Sequence, residues 1–201
     1  MPRPHREIVP NQPHHVTERG NRKELVFKDQ EDYERYLSLL QTHAIKEGIK
    51  VPAFCLMPNH IHAIAIPPDE ESLPRAMREV QSDYARAFNR KYGKSGHVWQ
   101  GRYFSCSLEP IHLYRAVRYV EMNPVRAGLV DEAWLYPWSS ASYHVGLVAV
   151  PPGLNVSRLD FGFDEDAWDV YLKGWEGWAD CPEMRAATAR GRLWAPRILD
   201  P

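Results

Sequence analysis

"KVPAFCLMPNHIHAIAI", residues 50–66, is the stretch that decides the fold predicted for this chain. It contains two apolar runs of strand length, residues 50–56 and 60–66. The three residues between them, MPN, are typical of a tight turn. The stretch therefore predicts a β-hairpin. Its second strand carries two histidines, His60 and His62, which a buried strand does not need for its packing.

The two histidines share one face of that strand, because side chains alternate between the faces of a sheet. Ile61, Ala63 and Ala65 point the other way, and we expect this apolar face to lie under helices. His60 and His62 then line the opposite face, close enough together to hold one metal ion. Two ligands make a weak site. Without a third partner, the pair is better explained as surface or hydrogen-bonded histidines.

The elements around the hairpin predict the rest of the fold. A strand at residues 14–19 and a helix at 29–47, with Asp29 as its N-cap, precede the hairpin. A second helix begins at Ser72 and ends at Gly93. The remaining elements are a candidate strand at residues 102–108 and a third helix at 110–123. This β-α-β-β-α-β order with an added helix predicts an α+β, ferredoxin-like antiparallel sheet with helices packed on one face.

The chain divides in composition near residue 145. Residues 1–145 form the predicted main domain. Residues 146–201 begin with a linker-like segment and continue as an acidic stretch with four tryptophans. We expect this tail to form one or two short helices that pack back on the domain, because tryptophan at this density is more often a buried anchor than a ligand stack.

Composition also bounds where the protein works. The three cysteines, Cys55, Cys106 and Cys181, are far apart and form no CxxC pair, which argues against a disulfide framework or a cysteine zinc site. The N-terminus has no apolar segment of signal-peptide length. We expect a soluble cytoplasmic protein with no membrane contact.

The charge of the chain is unevenly distributed. The net charge is -1, but residues 75–126 carry 10 Lys/Arg against 4 Asp/Glu, whereas the segments before and after are at -2 and -5. A local basic patch suits phosphate binding, and the overall charge does not exclude a nucleic acid partner. The alternative is an ordinary solvated helix face.

The third helix offers partners for the histidines. Tyr119 and Asn123 are four residues apart and therefore share one helical face. Asn123 precedes Pro124, which ends or kinks the helix and leaves the Asn123 amide oxygen able to act as a hard ligand. The alternative is that Tyr119 belongs to the core and that Asn123 is an N-cap for the residues that follow.

Together these groups would form a phosphoryl-transfer site. A divalent ion held by two imidazoles and an amide keeps open positions and can polarise a phosphate. Tyrosine becomes a nucleophile when positive charge favours its phenolate, and Arg115 and Arg118 could supply that charge. Attack on a DNA phosphate would then give a covalent phosphotyrosine.

Five segments resemble a known family in order and spacing: HHVTERGNR, AFCLMPNHIHAIAIP, FNRKYGKSGHVWQGRYFSCSL, YRAVRYVEMNPVRAGLV and YPWSS. The family is the REP-associated tyrosine transposases, relatives of the single-strand insertion-sequence transposases with a His-hydrophobe-His motif. The resemblance covers about residues 5–145. It implies a ferredoxin-like nuclease domain that acts on single-stranded DNA able to form hairpins, in the cytoplasm and on the nucleoid.

The resemblance also implies roles for individual residues. His60 and His62 look like the metal-binding pair and Tyr119 like the nucleophile that takes the 5'-phosphate. Asn123 stands where related enzymes carry a glutamine ligand, and Mg²⁺ or Mn²⁺ is the expected ion.

Arg19 and Arg22 could contact a short guide segment beside the hairpin. Trp99, Arg102 and Tyr103 are candidates for stacking on bases, with core packing as the alternative for the two aromatic residues. The full set of predicted DNA-binding residues is Arg19, Arg22, Arg78, Arg86, Arg102, Arg115 and Arg118.

Two other functions remain open from the sequence. The chain could bind DNA or RNA hairpins without cutting them. It could also be a zinc hydrolase of a small molecule, although that leaves the basic segment unexplained and lacks a carboxylate ligand. The sequence leaves open whether the protein is a monomer or a homodimer, and whether Tyr119 meets the histidines of its own chain or of a partner.

Overall fold

A computed structural model describes residues 7–149 and 165–174. Within those residues the strands are β1 (His14–Arg19), β2 (Lys50–Met57), β3 (His60–Ile66) and β4 (Phe104–Ser107). The α-helices there are α1 (Gln30–Lys46), α2 (Ser72–Lys91), α3 (Leu113–Glu121), α4 (Asn123–Arg126), α5 (Ala141–His144) and α6 (Glu165–Lys173). None of the helices in these ranges is both long and apolar enough to cross a membrane.

The four strands form one antiparallel sheet in the order β2-β3-β1-β4. The predicted α+β, ferredoxin-like topology is confirmed. The register places His62 of β3 between Thr17 of β1 and Cys55 of β2. Strand β3, which is central, thus carries the histidine pair to the middle of the sheet.

One face of the sheet lies under α1 and α2. Ile61 and Ala63 pack there in a core with Tyr36 of α1 and Val80 of α2. Helix α1 begins as predicted, because the Asp29 side chain accepts a hydrogen bond from the Asp32 backbone N–H. Burial of this apolar face fixes which side the histidines take, since a shift of one residue would reverse every side chain of the strand.

The other face of the sheet is covered as well, by the helix that the prediction added to the ferredoxin-like pattern. Helix α3 packs there in a second core that includes Cys55, Ile64, Val117 and Val120. The added helix therefore closes over the histidine face. The site lies between the sheet and α3.

Two elements differ from their predicted bounds. Strand β4 starts at Phe104 and not at residue 102, because the preceding chain bulges away from β1 after the Gln100 N–H donates to the Arg19 carbonyl. The predicted helix at 110–123 begins as a 3-10 turn, Pro110–His112, and α3 ends at Glu121. Pro124 has no N–H to donate to the Val120 carbonyl, which accepts from the Asn123 side chain instead, and this explains the break.

Helix α6 belongs to the predicted tail and packs on α3. Its Trp168 and Leu172 are buried in the core that contains Val117 and Val120. The other three tryptophans of the tail lie outside the described residues. The predicted boundary near residue 145 therefore stays a prediction.

Candidate active site

A cleft of about 540 Å³ opens at the edge of the interface between the sheet and α3. Strands β1 and β3 contribute its floor, and α3 and α4 contribute one wall. The residues around it are His15, Thr17, Arg19, Met57, His60, His62, Gln100, Phe104, Tyr119, Asn123, Arg126 and Ala127. The structure thus brings together the four predicted catalytic and metal-binding residues.

The histidine pair faces this cleft. The rings of His60 and His62 have centroids 5.0 Å apart and planes inclined by 79°. His62 is buried, whereas His60 is half-buried. His60 Nδ1 lies 2.6 Å from the Asn59 side-chain oxygen. The two rings therefore converge on one region of the cleft from neighbouring positions of β3.

A third histidine, which the sequence did not single out, completes the floor. His15 of β1 is buried, and its Nε2 lies 2.9 Å from Nδ1 of His62. The planes of the two rings are inclined by only 10°, and their centroids are 5.2 Å apart. Burial, and secondarily the positive charge of Arg126, lowers the pKa of His15 to about 3. His15 is therefore neutral at physiological pH and can hold one hydrogen bond to His62.

Tyr119 of α3 packs its ring against both buried histidines. The ring lies nearly perpendicular to His15, at 5.7 Å between centroids, and to His62, at 5.8 Å. Its side chain is among the most buried in the described chain, so the core-packing interpretation describes part of its environment. Tyr119 nevertheless lines the cleft, and it does so beside histidines of its own chain.

Asn123 lies at the break between α3 and α4. Its amide nitrogen donates to the carbonyl oxygens of Tyr119 and Val120, each at 3.0 Å. The side chain thus satisfies the C-terminal carbonyls of α3, and the N-cap position of α4 belongs to Met122, which corrects the alternative of an Asn123 N-cap. Because the nitrogen is turned to the helix, the amide oxygen is the atom that could bind a cation.

The cation beside Tyr119 is Arg126, which sequence reasoning missed. Its guanidinium carbon lies 4.0 Å from the centroid of the Tyr119 ring, and Nη2 donates to the Tyr119 carbonyl at 3.1 Å. Neither Arg115 nor Arg118 lines the cleft. Arg118 instead donates to the Leu172 carbonyl at 3.5 Å and lies over the Tyr171 ring of α6. The structure therefore places Arg126 beside the Tyr119 ring, where the sequence suggested Arg115 and Arg118.

The other predicted DNA-binding arginines lie in three places. Arg19 lines the cleft, and Arg102 lines an adjoining cavity of about 120 Å³ that shares Arg19, Gln100 and Phe104 with it. Arg22 is exposed in the turn after β1. Arg78 and Arg86 lie on the helix α2, on the opposite side of the sheet, and pair with Glu79 and Asp83 of the same helix.

The aromatic residues proposed for base stacking are mostly in the core. Trp99 and Tyr103 are only 7% and 3% exposed, in agreement with the alternative of core packing. Phe104 is 40% exposed and lines both the cleft and the adjoining cavity. The exposed aromatic surface near the site is therefore that of Phe104.

The donors in the cleft, two imidazole nitrogens and one amide oxygen, fit a divalent cation that accepts both nitrogen and oxygen ligands. In residues 7–149 and 165–174 no three His, Cys, Asp or Glu side chains are grouped to hold a metal ion. His15 cannot serve as the third ligand through Nε2 while that nitrogen bonds to His62. The amide oxygen of Asn123 remains as a third donor, and such an oxygen suits Mg²⁺ or Mn²⁺ better than Zn²⁺.

Comparison with known proteins identifies the family. The family model described as "Transposase IS200 like" matches residues 9–123, a span that includes both histidines, Tyr119 and Asn123. This chain therefore belongs to the IS200-like transposase family, which confirms the resemblance seen in the sequence. No curated protein matches the chain.

A solved structure supports the fold. The structure of a REP-associated tyrosine transposase bound to a REP hairpin aligns with 76% of this chain and 90% of its own, at 20% identity and a TM-score of 0.60. A crystal structure described as that of a transposase from Deinococcus radiodurans R1 covers 59% of this chain and 95% of its own, at 17% identity. The TM-score of that alignment is 0.42.

Proposed function

We propose that this transposase is a metal-dependent endonuclease and strand transferase for single-stranded DNA, with Tyr119 as the nucleophile. The observation that carries the proposal is the packing of Tyr119 against His62 and His15 in the cleft that His60, Asn123 and Arg126 also line. Nucleophile, candidate ligands and a cation meet there on one chain. Membership of a transposase family supports DNA as the substrate.

His60, His62 and the amide oxygen of Asn123 would hold Mg²⁺ or Mn²⁺. The chemistry that such an ion supplies when bound is polarisation of a phosphate oxygen. The protein contributes the orientation of the phosphate and of Tyr119. Arg126 contributes a fixed positive charge at the ring from which the attack starts.

The covalent step exchanges one phosphate ester for another. The Tyr119 phenolic oxygen forms a bond to phosphorus, and the bond between phosphorus and the 3'-oxygen breaks. The proton lost by tyrosine is balanced by the proton that the 3'-hydroxyl gains. The products are a 5'-phosphotyrosine and a free 3'-hydroxyl, and the reverse reaction rejoins the strand without an external energy source.

The cleft suits a single strand. Arg19 and Arg126 can contact phosphates along it, and the exposed ring of Phe104 offers a stacking surface for an unpaired base. We infer hairpin-forming DNA as the partner because the REP-associated transposase with the same fold is bound to a REP hairpin. Tyr119 would act in cis, since its neighbours belong to its own chain.

The proposal is tested with end-labelled single-stranded DNA hairpins in Mg²⁺, in Mn²⁺ or in chelator. We expect a protein–DNA adduct that survives denaturation, depends on the metal and disappears in Tyr119→Phe. Tyr114→Phe is the matched control, because Tyr114 lies on the same helix outside the cleft. Its adduct should equal that of the wild type.

Two outcomes would contradict the proposal. An adduct that persists in Tyr119→Phe would assign the nucleophile to another residue. Tight hairpin binding with no adduct under any metal condition would instead support the alternative of a protein that binds hairpins without cutting them.

A further inference from the structure

The candidate metal ligands His60 and His62 each use Nδ1 in a hydrogen bond with a side chain outside the proposed ligand set. For His60 that side chain is Asn59, and for His62 it is His15. Imidazole can bind a cation only through a nitrogen that carries no proton. The partners of the two Nδ1 atoms therefore decide which nitrogen is left for a metal.

The orientation of Asn59 is fixed by a second contact. Its amide nitrogen donates to the Lys23 carbonyl at 3.2 Å, and a carbonyl can only accept. The amide oxygen therefore faces His60, at 2.6 Å from Nδ1. An oxygen that can only accept requires the proton on His60 Nδ1, and Nε2 becomes the nitrogen that can bind a cation.

The backbone around Asn59 is held in place by the loop after β1. The Gly20 N–H donates to the Asn59 carbonyl at 2.8 Å, and the Val26 N–H donates to the Pro58 carbonyl at 2.9 Å. A side chain at Gly20 would clash with the Glu24 carbonyl oxygen, so the close approach requires glycine. The hairpin turn and the loop thus form one rigid support for the Asn59 amide.

The second ligand has an equivalent partner from another strand. His15 is buried, and its Nε2 is 2.9 Å from His62 Nδ1. If His62 donates in this bond, His15 accepts, and His62 Nε2 is left for the cation. The two ring planes are inclined by only 10°, so the hydrogen bond can lie close to the plane of both rings.

We propose that Asn59 and His15 are positioning residues that hold His60 and His62 in the Nδ1–H tautomer, so that both present Nε2 to the cation. This inference deepens the proposed function, because it assumes that the two histidines bind the metal. Asn59 of "PNHIH" and His15 of "HHVTER" would then have the same role, which is to fix the tautomer of a candidate metal ligand. Partners of this kind orient the ligands of many metal sites and raise their affinity.

The first measurement is the tautomer of each histidine, read by long-range ¹H–¹⁵N NMR on the full-length, metal-free protein at neutral pH. We expect His60 and His62 in the Nδ1–H form. Asn59→Ala should shift His60 toward the Nε2–H form and leave His62 unchanged. An Nε2–H form of either histidine in the wild type overturns the assignment for that histidine and its partner.

The second measurement is Mn²⁺ affinity by titration. Asn59→Ala should weaken binding by about 10- to 100-fold, the range found when such partners are removed from other metal sites. Asn59→Asp keeps an acceptor for His60 Nδ1 and should lose less Mn²⁺ affinity than Asn59→Ala. The matched control is Asn89→Ala, which removes a similar amide hydrogen bond, to the Gly96 carbonyl at 2.9 Å, away from the cleft. Equal Mn²⁺ affinity in Asn59→Ala and the wild type would refute the role of Asn59.

His15 needs a variant pair because it is buried. His15→Gln keeps a side-chain acceptor and should retain the His62 tautomer, whereas His15→Leu should lose it together with metal affinity. Equal behaviour of the two variants would contradict the role of His15. If neither His15 variant folds, Asn59→Ala and Asn59→Asp still test whether a hydrogen-bond partner at Nδ1 determines the tautomer of a ligand.

These readouts separate the inference from the proposed function. Locked tautomers and partner-dependent Mn²⁺ binding without any DNA adduct would leave the positioning role intact and refute the nuclease. An adduct with free exchange between tautomers would support the nuclease and refute the positioning role.

Discussion

His15 makes the fold sensitive to acid. Its pKa is lowered to about 3 in the folded protein, first by burial and then by Arg126, against 6.5 in the unfolded chain. Between these values the unfolded state binds a proton that the native state excludes, so the free energy of unfolding falls as the pH falls. Arg126 places a positive charge near the ring, which disfavours a second positive charge on His15.

We predict that His15→Gln removes this contribution. Below pH 6.5 the free energy of unfolding of the wild type should fall more steeply than that of the variant, by up to about 1.4 kcal/mol per pH unit for one proton. Urea unfolding of both proteins across the acid range measures the difference. Parallel curves would show that His15 accepts a proton in the native state.

The guanidinium of Arg126 contacts both the ring and the carbonyl of Tyr119. We predict that Arg126→Ala slows adduct formation by about 100-fold or more, as expected when one preorganised charge is removed from a transition state. Arg126→Lys should recover part of the rate, because it restores charge without the planar fork. Single-turnover rates at saturating hairpin measure the effect.

The control for Arg126 is Arg90→Ala, which removes an exposed arginine of α2 on the other side of the sheet. It should leave the single-turnover rate unchanged. Similar losses in Arg90→Ala and Arg126→Ala would mean that general charge, and not the contact with Tyr119, determines the rate.

At the scale of elements, the position of α3 depends on a buried carboxylate. Glu121 is fully buried, and its oxygens accept from Ser140 Oγ at 2.5 Å, His144 Nδ1 at 2.5 Å and Trp168 Nε1 at 2.9 Å. Ser140 also accepts from the Phe54 N–H of β2 at 3.1 Å. The segment "YPWSS" thus ties α3 to the sheet, and α6 satisfies the remaining oxygen from the other side.

We predict that Trp168→Phe destabilises the fold. Loss of the indole donor leaves a buried carboxylate oxygen without that bond, which costs about 1–3 kcal/mol in the free energy of unfolding. The loss should shrink in a Glu121→Gln background, where the acceptor is neutral. Val170→Ala, at an exposed position of the same helix, should change stability by no more than about 0.5 kcal/mol. Equal losses in both backgrounds would show that Trp168 acts through packing alone.

The features that sequence analysis predicted correctly are local. The alternation of β3 places His60 and His62 on one face because the period of a strand is two residues, and Asp29 caps α1 through a contact three residues away. The pairing of His15 with His62 depends on β1 lying beside β3, which no local pattern contains. A search of the strands for further histidines on the same face would have found it only once the strand order was known.

Arg126 was missed for a related reason. In a continuous helix Tyr119 and Arg126 would be about 10 Å apart along the axis. The break at Met122 brings the guanidinium to 4.0 Å from the ring centroid. Pro124 predicted the break, but not the direction that the chain takes after it.

At the scale of the whole molecule, the arginines of the basic segment are distributed over both faces of the sheet. The predicted basic segment, residues 75–126, does not form one surface. Arg102 and Arg126 lie at or beside the cleft, whereas Arg78 and Arg86 lie on the helix α2 behind the sheet with acidic neighbours. A single strand bound in the cleft would therefore lie beside Arg19 and Arg102 and on the opposite side of the sheet from α2.

The salt dependence of hairpin binding distinguishes the two faces, because removing one arginine that neutralises a phosphate lowers the slope of log K against log salt by about 0.7 to 0.9. We predict that Arg19→Ala with Arg102→Ala lowers the slope by about 1.4 to 1.8 in total. Arg78→Ala with Arg86→Ala, which removes the same formal charge, should change the slope by less than about 0.5. Binding of one labelled hairpin over a range of salt concentrations measures all three proteins. A larger change of the slope in the Arg78 and Arg86 variant would mean that the DNA extends around the sheet edge onto α2. The binding surface would then include α2 as well as the cleft.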